Sequence, residues 1–246
     1  MGASELYNGK RKQIGQTLRQ MGWLDTGLYA LDRLLNKVSK GGTRLYKYYL
    51  VAQPVAKASL LPPGRGAQIQ VRPIGAQDAG AKQFPRPAAA IEARYAQGAR
   101  CLAAFRDDRF IGYLWLSLDG YQEDEVRARF TPAPGAAWDF DVYVAPDCRL
   151  GFAFLRLWDE ANRLLADNDI RWSCSRISAF NAGSRDVHAR LGTVSLGSAV
   201  FLRAGRWQAM LATLPPYFHL SPHPAAFPEF RLDAGKSGEP VSPRGA

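Results

Sequence analysis

The chain has 246 residues, of which 47% are hydrophobic and 11% aromatic, and its formal charge is +10. This composition can build a hydrophobic core, which excludes a chain disordered over its whole length. Three cysteines without a CxxC spacing argue against a zinc site or a disulfide framework, and no apolar run approaches the ~20 residues that cross a bilayer.

Residues 1–67 carry most of the positive charge, with eleven basic side chains against three acidic ones, so this extension holds +8 of the +10. Within it, apolar residues recur at alternating steps of four and three, which predicts a helix with one apolar stripe. The stripe consists of Leu24, Leu28, Leu31, Leu35 and Val38. A strand is expected over 45–55, and the sequence LPPGRG at 61–66 is typical of a linker.

The helix in this extension has two interpretations. Its stripe either packs on the main domain or lies in a membrane interface. The second interpretation rests on two aromatic residues beside three basic ones, which suit a headgroup boundary: Trp23, Tyr29, Arg33, Lys37 and Lys40. The basic extension therefore predicts an anionic partner, either the inner membrane surface or an acidic acyl carrier protein. A nucleic acid fits less well, since the basic residues cluster in one arm without aromatic stacking positions. The N-terminus lacks a secretory apolar core, so the protein is expected to be cytoplasmic or peripheral at the inner membrane face.

From residue 68 onward, short strands alternate with helices. Strands are expected over 68–74, 100–105, 109–118, 125–130, 137–144, 170–178, 194–203 and 207–214, and helices over 88–96, 150–166 and 182–191. Asp107-Asp108 between two of the strands indicates a hairpin. The pattern predicts an α+β fold whose mixed, mostly antiparallel twisted sheet is flanked by helices. The expected domains are the extension 1–67, a main domain 68–214 and a tail 215–246, which has seven prolines and is expected to be extended or disordered.

Two aspartates share one face of the strand 137–144. Asp139, Asp141 and Tyr143 alternate with apolar residues, so they are expected to point to the same side of the sheet. Two carboxylates this close raise each other's pKa when they leave water, which favours a role as proton acceptor. The alternative is a solvated face of an edge strand.

A turn containing Pro146 joins this strand to the next helix, which is expected to open near Arg149. Free backbone N–H groups at a helix N-terminus are the usual place to hold a phosphate group. The sequence therefore predicts a phosphate-binding turn over 144–154.

The order of elements over 68–214, with Val144, Pro146 and Arg149 at this junction, resembles the GCN5-related N-acetyltransferase superfamily. The superfamily's glycine pattern in the turn is matched in part, because Gly151 and Ala153 fit only if Cys148 takes the place of the usual Gln or Arg.

A second motif of that superfamily lies after the strand 170–178. Its Asn, small residue, Tyr and Gly at offsets of three, seven and eleven align with Asn181, Ser184, His188 and Gly192. Histidine thus stands where the superfamily often has tyrosine. An imidazolium can donate a proton, and its ordinary pKa near 6.5 suits acid or base catalysis.

The resemblance implies an acyl-coenzyme A donor and direct transfer of its acyl group to an amine. The residues expected to bind the donor are Tyr143, Val144, Arg149, Leu150, Gly151, Phe152, Ala153, Phe154, Asn181 and Ser184. In this scheme Asp139 or Asp141 removes the proton of the amine, and His188 protonates the departing thiolate.

The expected function is therefore an N-acyltransferase, in the first place an N-acetyltransferase, that acts on a small-molecule or peptide amine without a metal. Two alternatives stay open. One is a non-catalytic member of the superfamily that binds acyl-coenzyme A or docks other proteins. The other is a transferase that takes its acyl group from an acyl carrier protein.

Overall fold

The structure is a computed structural model, and it describes residues 21–236. These residues form two compact units, which we call the flanking unit (21–51 with 176–228) and the central unit (52–175 with 229–236). The units interleave along the chain, so the predicted boundaries at 67 and 214 do not coincide with them.

Helices and strands alternate through the described residues. The α-helices are α1 (Trp23–Val38), α2 (Ala88–Ala96), α3 (Ala153–Ala166) and α4 (Ala182–Arg190). The strands are β1 (Thr43–Pro54), β2 (Gln70–Ile74), β3 (Arg100–Arg106), β4 (Arg109–Ser117), β5 (Tyr121–Gln122), β6 (Arg129–Pro132), β7 (Ala136–Val144), β8 (Trp172–Ser178), β9 (Val194–Ala204), β10 (Trp207–Ala212), β11 (Phe218–Ser221) and β12 (Glu229–Leu232). Short 3-10 helices occupy Ala79–Gln83, Pro146–Cys148 and Ala234–Lys236.

The sheet of the central unit has the strand order β8-β7-β4-β3-β2. Its neighbouring strands are antiparallel except for β7 and β8, which run parallel. The predicted α+β class with a mixed, mostly antiparallel sheet is therefore confirmed. Helix α3 packs on β3 and β4, and it buries Leu157, Trp158 and Leu165 completely because these residues recur on one helix face.

The predicted hairpin at Asp107-Asp108 joins β3 to β4. Both aspartates have positive φ angles, 48° and 59°. Two consecutive residues of positive φ are characteristic of the type I′ turn, whose twist matches that of the flanking strands. Asp tolerates this conformation better than other non-glycine residues, so the sequence at this turn agrees with its geometry.

The tail, expected to be extended or disordered, contains two paired strands, and its residues 237–246 lie outside the described residues. Strand β11 pairs antiparallel with β10 in the flanking unit, and β12 pairs parallel with β6 in a second, three-stranded sheet of the central unit, β12-β6-β5. Phe230 in β12 is fully buried and its ring stacks on that of Phe130 at 5.1 Å. Burial of these aromatic rings stabilises a strand too short to be recognised by its sequence period. The strand expected over 125–130 also begins later, at Arg129.

The flanking unit places its strands in the order β11-β10-β9-β1, with α1 and α4 in the same unit. Helix α1 does not bury the whole of its apolar stripe, as the packing interpretation expects. Leu24, Leu31 and Val38 are exposed, whereas Asp25 and Asp32 are buried. The apolar stripe is therefore only partly used for packing.

Candidate active site

Strand β7 consists of a buried part, residues 136–140, which we call the closed half, and a partly exposed part, residues 141–144, which we call the open half. Its pairing with β8 covers Ala136, Ala137 and Trp138, and β7 continues for six residues beyond this point. The side chains from Ala136 to Phe140 are buried, whereas those from Asp141 to Val144 are partly exposed. The strand end expected to receive the donor is therefore accessible.

A β-bulge separates the two halves of β7. The register with β4 shifts between Tyr113↔Tyr143 and Trp115↔Phe140, so two residues of β7 stand opposite one residue of β4. Asp141 at the bulge has a φ of 45°. A bulge breaks the alternation of side chains, and Phe140 and Asp141 accordingly contact the same arginine, Arg94.

Asp141 is the centre of a charged cluster that the sequence did not predict. Its carboxylate accepts hydrogen bonds from Arg86 Nε (2.9 Å), Arg94 Nη1 (2.6 Å) and the Tyr113 hydroxyl (2.8 Å). Burial alone would raise the pKa of Asp141, but these donors outweigh it and the pKa is lowered. The expectation of a raised pKa for Asp141 is therefore wrong, and its role as a proton acceptor remains a prediction.

Asp139 has the opposite environment. Its side chain is buried, with 2% of its surface exposed, and it accepts a hydrogen bond from Ser173 Oγ at 2.7 Å. Burial raises the pKa of Asp139 to about 7, against the smaller lowering effect of the hydrogen bonds from Ser173 and Ser175. The causes of the two pKa shifts do not include the other aspartate, so the expected mutual raising of their pKa values is not found.

His188 lies in α4 of the flanking unit and is buried. Burial lowers the pKa of His188 to about 4, because a charged imidazolium is costly to remove from water. The ring is therefore neutral at pH 7 and is not the expected imidazolium, whereas the catalytic role expected of His188 remains a prediction.

The other two residues of the second motif have a local structural role. Asn181 is the N-cap of α4, and its Oδ1 accepts a hydrogen bond from the backbone N–H of Ser184 at 3.1 Å. This is the usual capping interaction at a helix start. Their expected contact with the donor remains a prediction.

The turn after β7 is longer than predicted. Pro146–Cys148 forms a 3-10 turn, and α3 begins at Ala153 rather than near residue 150. Phe152 is the N-cap residue, and its side chain makes no capping hydrogen bond. Since the first N–H groups of a helix have no partner within it, the start of α3 offers donors to an external anion.

The predicted donor-binding residues are distributed around this turn. Tyr143 and Val144 lie in the open half of β7, and Arg149, Leu150 and Gly151 are exposed in the turn. Arg149 donates from Nε to the carbonyl oxygen of Val144 at 3.2 Å.

The first residues of α3 complete the set. Phe152 is partly exposed, Ala153 is fully buried, and the Phe154 ring lies 6.3 Å from that of Trp158. Neither the side chain nor the backbone of Ala153 is exposed, so its expected contact with the donor remains a prediction.

Four further residues at the start of α3 were missed by the sequence analysis. Arg65 lies over the Phe152 ring at 5.8 Å. Gly66, with a φ of 69°, packs so closely that an added Cβ would meet Phe152 and Arg156 at 3.1 and 3.0 Å. Arg106 lies 3.9 Å from the corresponding position on Gly151.

The arginines at this place have unused donors. Among the described residues, Nε of Arg106 and Nε of Arg156 are buried without a hydrogen-bond partner. Buried polar atoms are normally paired, so these two Nε groups are candidate donors to a bound anion. The GRG sequence at 64–66 was the available signal, but it was interpreted as a linker.

No protein-family model matches the chain, and no curated protein matches it. Solved structures with a similar arrangement include a GCN5-related N-acetyltransferase from Sphaerobacter thermophilus, with 17% identity over 72% of this chain and 57% of that one and a TM-score of 0.45. An aminoglycoside acetyltransferase from an uncultured soil sample has 10% identity over 50% of this chain and 87% of that one, with a TM-score of 0.38. A conserved protein of unknown function from Staphylococcus epidermidis has 13% identity over 71% of this chain and 68% of that one, with a TM-score of 0.47.

Proposed function

We propose that the protein transfers an acyl group from acyl-coenzyme A to an amine. The observation that carries this proposal is the start of α3, where uncapped helix N–H groups and Arg65, Arg106 and Arg156 converge beside the open half of β7. The resemblance of the turn to that of the N-acetyltransferase superfamily supports the same function.

The residues at the start of α3 fit the pyrophosphate of coenzyme A. A doubly charged anion would accept from the helix N–H groups and would supply the acceptor that Nε of Arg106 and Arg156 lack. Gly66 permits the close approach of its segment to the helix, which holds Arg65 over Phe152. The exposed residues Arg149 and Leu150 would border the rest of the nucleotide.

The open half of β7 supports direct transfer. The nitrogen of the neutral amine would attack the thioester carbonyl carbon, the C–N bond would form, and the C–S bond would break with release of the thiolate. Backbone N–H groups of β7 beyond Trp138 are the proposed donors to the carbonyl oxygen. Positioning of amine and thioester would supply much of the rate enhancement.

The two aspartates would have different roles. Asp139, whose pKa is near 7, is the proposed proton acceptor. It is enclosed, so the proton would reach it through the Ser173 hydroxyl, 2.7 Å from its carboxylate. Asp141 would position Arg86, Arg94 and Tyr113 beside the acceptor amine. His188 is neutral at pH 7 and has no acid role in this scheme.

Calorimetry with acetyl-coenzyme A and with free coenzyme A tests the proposal. The purified protein should bind both, and Arg106→Ala should weaken binding by about tenfold or more, since a charge-assisted hydrogen bond contributes about 1.5–3 kcal/mol. Arg163→Ala is the matched control, because Arg163 lies in the same helix but pairs only with Glu160 and Asp167 near its C-terminal end.

No binding of either ligand at millimolar concentration would refute the proposed function, as would equal weakening by the two arginine variants. Turnover is then measured with a panel of small-molecule and peptide amines. Saturable binding without turnover across the panel would favour the non-catalytic alternative. Turnover only with a loaded acyl carrier protein would favour the carrier protein as donor.

A further inference from the structure

Helix α1 turns its acidic face inward and its apolar face to solvent. At 100° per residue, five of its exposed apolar side chains fall within an arc of about 100° on the side away from Asp25 and Asp32, whereas Tyr29, 37% exposed, lies outside this arc. This outward face consists of Trp23, Leu24, Leu31, Leu34 and Val38. Trp23 and Val38 are the most open, with 78% and 74% of their surfaces exposed.

Asp25 is held inward by three donors of the flanking unit. Its carboxylate accepts hydrogen bonds from Lys47 Nζ (2.7 Å), the Tyr49 hydroxyl (2.7 Å) and Arg185 Nη1 (3.2 Å). Only 2% of Asp25 is exposed. A buried carboxylate with this many donors fixes the rotation of the helix about its axis.

Asp32, two helical turns later, repeats the arrangement. It accepts from Arg44 Nε at 3.0 Å and from the backbone N–H of Leu45 at 2.9 Å. A rotation of the helix that buried the leucines would break the hydrogen bonds of both Asp25 and Asp32 and would separate these aspartates from their basic partners. The outward position of the apolar face is thus a specific feature of the fold, although exposed apolar surface of this extent is unfavourable in water.

The charge around the outward face is positive. Arg33, Lys37 and Lys40 are exposed and follow one flank of the apolar arc, whereas both acidic residues of α1 are buried in ion pairs. By sequence, four more basic residues precede the helix: Lys10, Arg11, Lys12 and Arg19.

We propose that the outward face of α1 binds an anionic lipid surface, with the helix lying in the plane of the interface. The apolar arc would enter the region between headgroups and acyl chains, and the basic flank would contact lipid phosphates. Trp23 at the first position of the helix suits this boundary, because an indole combines apolar area with a polar N–H group. Among the described residues, no helix is long and apolar enough to span a membrane. The attachment proposed for α1 is peripheral and reversible.

Charge complementarity favours lipid over a second copy of the chain at this face. A second copy of the chain would bring the same cations against Arg33 and Lys37, which opposes association.

Vesicle co-sedimentation of the full chain distinguishes the occupants. We expect binding to vesicles of phosphatidylcholine with phosphatidylserine, weaker binding to phosphatidylcholine alone, and weaker binding at 0.5 M than at 0.05 M salt.

The double variant Leu31→Gln/Leu34→Gln should lower binding to the anionic vesicles at least tenfold. Leu211→Gln is the matched control, because Leu211 is an exposed leucine of the same unit with a similar exposed fraction, 63% against 57% for Leu34. Circular dichroism should show that both variants keep the native fold.

Three results would overturn the proposal: no binding of the full chain to anionic vesicles, equal binding to anionic and neutral vesicles, or equal loss in the double variant and in Leu211→Gln. A dimer measured by light scattering that dissociates in the double variant would assign the face to a second copy instead. Capture by an immobilised acyl carrier protein, without vesicle binding, would assign it to that carrier.

Discussion

The two halves of β7 place an aspartate carboxylate in different environments, which shift its pKa in opposite directions. In the closed half, Asp139 is enclosed with two serines and its pKa rises to about 7. In the open half, two residues later, Asp141 is surrounded by Arg86, Arg94 and Tyr113 and its pKa falls. Both residues have apolar neighbours along the strand, Trp138 and Phe140 for Asp139 and Phe140 and Val142 for Asp141, so their different environments come from the fold, in which Asp141 lies in the bulge and Asp139 does not.

This contrast shows that spacing on a strand does not determine electrostatic environment. The carboxylate of Asp139 is removed from water and accepts hydrogen bonds from neutral serine hydroxyls, so it can exchange a proton near neutral pH. The carboxylate of Asp141 is also largely removed from water, but it accepts hydrogen bonds from the guanidinium groups of Arg86 and Arg94. The first environment suits proton transfer and the second suits positioning, and three predictions test this division.

The largest effect is expected from Asp141→Ala. Arg94, whose side chain is 5% exposed, would keep only Asp124 as a carboxylate partner. Breaking a buried ion pair from one side typically costs about 3–5 kcal/mol, and we expect the upper end because Arg86 and Tyr113 also lose their acceptor. Urea unfolding measures the change in the free energy of unfolding.

The control is Asp147→Ala, which removes the ion pair between Asp147 and Arg109 in full solvent. It should leave the free energy of unfolding unchanged. If both variants are equally stable, the cluster around Asp141 does not hold the open half of β7 together.

The second prediction concerns the pH dependence of stability at Asp139. Its pKa is higher in the folded protein, about 7, than the ordinary value of 3.8, so the folded state binds more protons between these values. The contribution is fully present below pH 4 and is lost as the pH rises to 7, by about 4 kcal/mol across the whole window. Asp139→Asn should remove this loss.

Urea unfolding of the two proteins at pH 5 and pH 8 provides the measurement. The difference between them isolates Asp139, because both proteins contain His188 and its contribution cancels. That contribution has the opposite sign, since the lowered pKa of His188 costs stability as the pH falls from 6.5 toward 4. Asp141, whose pKa lies below its ordinary value, stays charged over this range. A difference that does not vary with pH would show that Asp139 has an ordinary pKa.

Much of the central unit could be predicted from its sequence. Alternation marked β7, the Asp107-Asp108 pair marked the hairpin, and the apolar face of α3 indicated its packing against a sheet. These features depend on local order along the chain, which the sequence contains directly.

The missed parts of the site depend on contacts between distant residues. Arg94 reaches Asp141 across 47 positions of the chain, and nothing local to β7 indicates a guanidinium there. The bulge itself has no glycine to mark it, since Asp141 takes the positive φ.

Helix α1 shows a related limit. Its stripe was visible in the sequence, but the direction of that stripe depends on Lys47 and Arg185, which are 22 and 160 positions from Asp25. Amphipathicity therefore predicted the helix but could not determine which face was buried.

The smallest effect is expected from the backbone of the bulge. Asp141→Gly and Asp141→Ala remove the same carboxylate, so their difference reports the φ of 45° alone. Alanine in a left-handed conformation destabilises the folded state by roughly 1–2 kcal/mol. Glycine avoids this cost, but it loses more conformational entropy on folding than alanine does, which offsets part of the gain. We therefore expect the glycine variant to be about 1 kcal/mol more stable than the alanine variant by urea unfolding. The reverse order, or equal stability, would show that alanine relaxes the bulge and that the ion pairs of Asp141, not the backbone, keep β7 in its bulged register. In that case the open half of β7 would depend on Arg86 and Arg94 for its shape as well as for its charge.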